Sequence, residues 1–453
     1  MEKETKGNLT EGPIGKVLFK LAIPIMASAF LGTAYSITDM AWIGKLGAKA
    51  VAGAGVGSMF VWLSQGLSTL ARMGGQVHVG QKLGAGKREA AEVYGKTAVQ
   101  IAIILGLLFG AVCIIFTDAF VGFFGMTDPV TVSYGKIYLR IVCGMIVFSF
   151  VVNTFTGLYT AQGNSRTPLI ANTIGLVTNM ILDPLLILGV GIFPRMEVMG
   201  AAVATVTAQI IVLGVLVCDI IRSDKGKNIL KNVSIFSKVE MSTAKEIVKI
   251  GGPSAIQSMT YCAISMVITR LIATFGEGAV ASQRVGGQIE SLSWNVSDGF
   301  AAALNAFVAQ NYGARKKDRV QKSYRIAAVS IALWGLFIGI VFNVFPEEIS
   351  RLFFYEKDII NISISYLVVL GISQPFMCVE ILAIAGVSGL GNTKICSIIS
   401  IILTGMRIPL AYFLTGIGWG VNGIWWAFTL SSIVKGFVFH FVFKHQCKQK
   451  FLN

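Results

Sequence analysis

Charge is what this sequence lacks most. Only 13% of its 453 residues are charged, about half the ~25% of a soluble domain. Acids are the scarcer sign, with 23 Asp+Glu against 38 Lys+Arg and a net charge of +15. Cysteine is sparse and unpatterned. Cys113, Cys143, Cys218, Cys262, Cys378, Cys396 and Cys447 form no C-x-x-C pair, which argues against a disulfide scaffold or a zinc module and leaves them as small core residues. His78, His440 and His445 are scattered. No H-E-x-x-H, Ser/His/Asp or Walker A pattern occurs, so neither a membrane-embedded hydrolase nor direct ATP drive is supported. Gly53-Ala54-Gly55-Val56-Gly57 lies inside an apolar run without a preceding strand, and reads as small-residue helix packing rather than a nucleotide loop.

Apolar residues are what the sequence has. They make up 54% of it, with a mean hydropathy of +0.71. No core hides that much, so much of it faces lipid. Twelve apolar runs of about 20 residues, each long enough to span a bilayer, lie near 17–43, 52–79, 97–117, 137–160, 168–192, 200–221, 247–275, 279–309, 326–345, 360–386, 395–415 and 423–443. The first run reads as an uncleaved helix rather than a signal peptide. The expected fold is an all-α polytopic membrane protein.

The bases cluster between the runs, which fits a membrane protein better than a nucleic-acid binder. One set of loops with both termini holds 26 Lys/Arg, the opposite set holds eight, and Arg72, Arg284, Arg407 and Lys435 fall within helices. The positive-inside rule then puts both termini in the cytoplasm of a cell (inner) membrane protein. The polar stretch Arg222–Lys249 reads as a linker, giving an N-lobe over 1–222, a linker over 223–246 and a C-lobe over 247–453.

An internal repeat supports that division. A shift of 229 residues aligns Pro24–Lys87 with Pro253–Lys316, with 18 identities in 64 positions. Gly163-Asn164-Ser165-Arg166 matches Gly391-Asn392-Thr393-Lys394 at a shift of 228. Each half has an even number of spans, so the two are parallel repeats, an arrangement that builds transporters with a central cavity.

The chain resembles the multidrug and toxic compound extrusion (MATE) transporters over essentially its whole length. The matching segments are Pro24 followed by Asp39, Gln81-Lys82-Leu83-Gly84-Ala85-Gly86 after helix 2, and Gln162-Gly163-Asn164 after helix 4. Asn179-x-x-x-Asp183-Pro184 in helix 5 and Gly200-Ala201-Ala202-Val203-Ala204-Thr205 in helix 6 complete the set. The resemblance implies antiport of organic cations or other amphipathic drugs against Na⁺ or H⁺, with no cofactor. It implies a cation site, open to Na⁺, at Asp39, Asn179, Asp183 and Thr205 with the Ala201 carbonyl. The expected partners are small organic molecules and lipid, with no nucleic acid, and the expected state is a monomer.

The residue types suit that chemistry. Intramembrane carboxylates are costly and usually mark ion or proton paths. Asn179 and Asp183 share one helical face, and hard cations prefer oxygen ligands. Read from the residues alone, each acid keeps a structural alternative. Asp39 lies about 32 Å along the helix from Leu18, where it could cap an outer end, and Asp183 could serve the kink at Pro184.

The second half departs from the NorM-like branch. Helix 7 has no acid before Glu277, and Asp39 aligns with Ile268, which favours N-lobe coupling as in the DinF-like branch. Glu380 is the candidate second coupling residue. Glu290 and Asp298 read as structural acids, partnered by Arg284 or Arg407. Met26, Tyr35 and Trp42 are the pocket candidates, since lipophilic cations bind on aromatic and Met surfaces. The alternative function is a flippase of lipid-linked precursors, which would favour a cationic cavity and extra helices.

Overall fold

The structure, a computed structural model, describes residues 8–126, 128–191, 193–224, 228–231 and 237–452. Lys3, Lys6, Lys225 and Lys227, which contribute to the expected charge asymmetry, lie outside the described residues. The chain is helical throughout its regular elements. In order these are α1 (Ile14–Gly44), α2 (Ala48–Gly84), α3 (Arg88–Ile115), α4 (Thr117–Gly122), α5 (Pro129–Tyr138), α6 (Val147–Ala161), α7 (Arg166–Leu188) and α8 (Glu197–Arg222). The second half has α9 (Met241–Ala273), α10 (Glu277–Gly313), α11 (Lys317–Val344), α12 (Pro346–Arg351), α13 (Lys357–Gly389), α14 (Thr393–Gly405), α15 (Arg407–Leu414) and α16 (Gly420–Lys450).

The all-α polytopic fold expected from the sequence is the one observed. Among the described residues, nine helices are long and apolar enough to cross a membrane, and a tenth span is the α5–α6 pair, bent by 45°. The α14–α15 and α16 segments form two spans rather than one, because Gly418 and Gly420 turn the chain with φ of 96° and 54°. The 37-residue α10 completes the twelve; Glu277, Arg284, Glu290 and Asp298 lower its hydropathy. The short α4 and α12 lie between runs, where hydropathy gives no signal.

The duplication is kept in three dimensions. Helix α2 begins after Gly47 at φ 98°, and α10 begins after Gly276 at φ 99°. Such values favour glycine, which has no Cβ to clash.

Contacts divide the chain into two compact units, Met1–Asn8 with Ala27–Ala255, and Leu9–Met26 with Ile256–Asn453. The start of α1 thus belongs to the C-terminal unit, and the start of α9 to the N-terminal unit. The changeovers follow Pro24 and Pro253, residues the repeat aligns. Bare backbone holds the exchanged ends. A Cβ added at Gly251 would lie 1.9 Å from the Leu70 carbonyl oxygen, and one at Gly299 would lie 2.7 Å from Met26 Cγ.

Each unit has its own core. Phe150, Phe155, Leu158, Tyr159 and Leu216 are buried in the first; Leu18, Leu304, Phe307, Phe439 and Phe443 in the second. Large apolar side chains such as Leu107, Leu108 and Ile115 remain exposed on α3, as lipid-facing positions do.

Candidate functional site

Helices α1, α2, α5, α7 and α8 bring a polar group together inside the N-terminal unit. Asp39 lies five residues before the end of α1 at Gly44, and it is only 8% exposed. It is therefore a buried side chain within the helix, not a cap at its end. Tyr35 is one turn earlier on the same face. Its hydroxyl donates to Thr205 Oγ1 at 2.9 Å, which ties α1 to α8.

Asn179 and Asp183 are fully buried on α7, and Asn179 Nδ2 donates to Asp183 Oδ1 at 3.2 Å. Pro184 follows within the helix and supplies no N–H, so the carbonyl one turn back loses its helical partner. Asp39 and Asp183 are close enough for their charges to interact.

Small residues let α7 and α8 approach. A Cβ on Gly200 would lie 2.6 Å from the Leu186 carbonyl oxygen, and one on Gly175 would lie 2.3 Å from Val212 Cγ2. This close approach carries Ala201 and Thr205 to the α7 face. Ala201 is fully buried one turn before Thr205, and helix geometry directs its carbonyl to the Thr205 N–H.

Three buried oxygens in this group have no hydrogen-bond partner: Asp39 Oδ1, Asn179 Oδ1 and Asp183 Oδ2. Buried polar atoms are almost always satisfied, so each exception calls for a physical reason. All three are acceptors, and two belong to carboxylates. The set fits a proton or a small hard cation such as Na⁺. No group of three or more His, Cys, Asp or Glu able to hold a metal occurs among the described residues.

Sequence reasoning missed Tyr138 and Ser58. Tyr138, buried at the end of α5, interacts with both Asp39 and Asp183 and bonds to Ser58 of α2. A tyrosine in an apolar run carries no signal of its own, and the π-helical stretch Leu139–Cys143 that follows it is not readable from hydropathy.

The other candidates are placed differently. Trp42 is half-buried against the cluster that holds Ile43, Tyr138, Val198 and Ala201, with the Lys45 ammonium 3.9 Å from its ring centre. Met26 belongs to the other compact unit, packed on Gly299 of α10. Also in that unit, Glu380 pairs with Lys435 at 2.8 Å, both buried. Glu290 accepts from Gln374 Nε2 at 3.1 Å and Tyr366 at 3.4 Å. Asp298 and Arg284 are exposed. Arg407 donates to Ser431 and Ser432 rather than to an acid. The seven cysteines are free thiols.

Comparison with known proteins gives a consistent picture. The sequence matches the MatE family over residues 24–185 and 253–413. It is 29% identical to a probable multidrug resistance protein NorM of Thermotoga maritima, over 88% of this chain and 85% of that one. It is 24% identical to an FAD transporter of Shewanella oneidensis, over 97% and 96%. Among solved structures, a MOP superfamily transporter from Pyrococcus furiosus superposes with a TM-score of 0.91 at 21% identity, covering 99% of both chains.

Proposed function

Because the chain belongs to the MatE family, we propose that it is a secondary antiporter that exports amphipathic organic compounds, cations among them, in exchange for Na⁺ or H⁺. It is a transporter, not an enzyme. The observation that carries the coupling half of this reading is the trio of unpartnered buried oxygens on Asp39, Asn179 and Asp183. Asp39 and Asp183 are the proposed charge carriers, and Asn179, Thr205 and the Ala201 carbonyl the neutral ligands. Tyr35 and Tyr138 position them.

The physical logic is a competition between burial and charge. Two carboxylates inside a membrane are costly when both are ionised. Taking up one proton or Na⁺ removes part of that cost and draws α1 and α7 together. Losing it restores repulsion between the two acids. Inward movement of a monovalent cation supplies about 2.3 kcal/mol per 100 mV of membrane potential.

The remaining sequence expectations belong to the same proposal. We assign the protein to the cell membrane with both termini cytoplasmic, and treat 1–222, 223–246 and 247–453 as N-lobe, linker and C-lobe of the duplication. A monomer is sufficient, because the proposed coupling residues all come from one unit of one chain.

The test is efflux of a fluorescent amphipathic cation from proteoliposomes, with Na⁺ and pH gradients imposed separately. Wild-type efflux should follow one gradient, and Asp39→Asn should abolish the gradient dependence. Efflux indifferent to both gradients would rule out antiport. Gradient-driven efflux that survives in Asp39→Asn would move coupling to another acid, with Glu380 the next to replace.

A further inference from the structure

The C-terminal unit holds a second charged cluster, and the coupling site makes no use of it. Glu380 and Lys435 neutralise one another in direct contact at 2.8 Å. Arg407 is held differently. It opens α15, inside the apolar segment Thr393–Lys450 that is long enough to cross a membrane. A cation within such a segment is costly and marks function by default.

What surrounds the guanidinium orients it without neutralising it. Nε donates to Ser431 Oγ at 3.2 Å and Nη2 to Ser432 Oγ at 3.0 Å. The Phe428 ring centre is 5.4 Å away, and the Tyr261 hydroxyl also accepts a hydrogen bond from the guanidinium. Among the described residues, no carboxylate lies within ion-pair distance of Arg407; the buried pair of this unit is Glu380 with Lys435. Glu290 acts on Arg407 only at longer range and is itself bonded by Gln374 and Tyr366. Lys435 adds repulsion. Three of the five guanidinium N–H donors are spent on neutral hydroxyls, which leaves two donors and the whole charge for a ligand. Arg407 is half-buried.

We propose that Arg407 recognises an oxyanion, a carboxylate or phosphate, carried by the transported amphiphile. Guanidinium is the side chain suited to this, because its planar fork matches both groups bidentately. The cluster of Glu290, Glu380, Arg407 and Lys435 is formally neutral. An arriving oxyanion therefore brings its own positive group into the neighbourhood of Glu290. The substrate class is an amphipathic zwitterion rather than a simple lipophilic cation. This rests on the exporter reading above and narrows its substrate.

The experiment is direct binding to the full chain in phosphatidylcholine nanodiscs. The probes are a dansylated, amine-bearing carboxylic acid and its methyl ester, followed by anisotropy. Wild type should bind the acid about tenfold more tightly than the ester, the size of one charge-assisted contact. Arg407→Gln should bring the two to near equality by weakening binding of the acid, and Arg407→Lys should keep part of the preference. If Arg407→Gln does not fold, Ser432→Ala should lower the acid preference by disorienting the guanidinium. Equal affinities in wild type, or a preference that survives in Arg407→Gln, would overturn the proposal. Loss of the preference on adding phosphatidylglycerol would assign the edge to a lipid headgroup and also overturn it. Because binding needs no gradient, failure here leaves gradient-driven efflux standing, and failure of efflux leaves this result standing.

Discussion

Asn179 donates its side-chain amide to Asp183 Oδ1 at 3.2 Å, and this one bond decides which oxygens of the pair stay open. The amide nitrogen faces the acid, so Asn179 Oδ1 and Asp183 Oδ2 are left without donors. Two acceptors on one helical face, next to a third on Asp39, is an arrangement that a cation or proton resolves.

The same arrangement sets stability against function. Asp183→Asn supplies a second amide donor and removes a buried charge. The variant should be more stable than wild type by about 1–3 kcal/mol, the usual cost of an unsatisfied buried group. Its gradient-driven efflux should fall to background. Thermal melting in detergent and efflux from proteoliposomes check the two halves. A variant that is less stable than wild type would mean that Asp183 is a structural hydrogen-bond partner beside Pro184.

The contact between Glu380 and Lys435 makes the opposite prediction. Both side chains are nearly fully buried, and their separation is 2.8 Å. Lys435→Met leaves Glu380 buried without its partner, which should cost about 3–5 kcal/mol. Adding Glu380→Gln to Lys435→Met should recover most of the loss, since an apolar or amide replacement of both partners removes the stranded charge. A double variant no more stable than the single one would contradict the pairing.

Much of this fold is legible in the sequence because lipid imposes one rule, that a spanning segment is apolar and helical. The run near 97–117 becomes α3 at Arg88–Ile115, longer only because its polar first turns fall below any hydropathy threshold. Pro24 and Pro253 are visible as a repeat, but not as the points where helices pass from one compact unit to the other. That exchange depends on glycine–backbone contacts such as Gly251 with Leu70, and pattern does not report contacts. Asp39 and Asp183 stand out because acids are rare in apolar runs. Arg407 is visible as a base within a helix, but its serine partners are not; Tyr138 does not stand out at all, since what distinguishes it is its surroundings in space.

Asp128 offers a pH test at the end of a helix. It caps α5 by accepting from the Thr131 N–H at 2.9 Å, and the Lys49 ammonium sits 2.8 Å from its other oxygen. The Lys49 contact, with the Thr131 bonds, holds its carboxyl at about 2, below the ordinary carboxylate value. The folded state therefore prefers the ionised form, and the stabilisation is present above the unfolded pKa near ~4. It is lost as pH falls toward the folded value. Asparagine keeps the cap and loses the charge. Asp128→Asn should thus melt below wild type at pH 5–7, and the gap should close as pH approaches the folded value. A gap that stays constant with pH would exclude the Lys49 pairing as its source.

The turn after α2 and its repeat after α10 give the last test. Gly86 has φ of 72°, and its aligned counterpart is Arg315 at φ 56°. The backbone kept the left-handed conformation while the residue changed. The surrounding hydrogen bonds explain why: Lys87 N donates to the Lys82 carbonyl at 2.9 Å, and Lys316 N to the Asn311 carbonyl at 2.9 Å, the same closure in both halves. For a residue with a Cβ this conformation costs about 1–2 kcal/mol, a penalty glycine escapes. Nothing lies within 4 Å of a Cβ built on Gly86, so strain and not crowding governs the substitution. Gly86→Ala should therefore lower the melting temperature, and Arg315→Gly should raise it, each by an amount worth about 1 kcal/mol. Opposite signs at two aligned positions separate backbone strain from a general effect of adding or removing a side chain. Equal signs would show that the Arg315 side chain contributes more through its own contacts than its conformation costs.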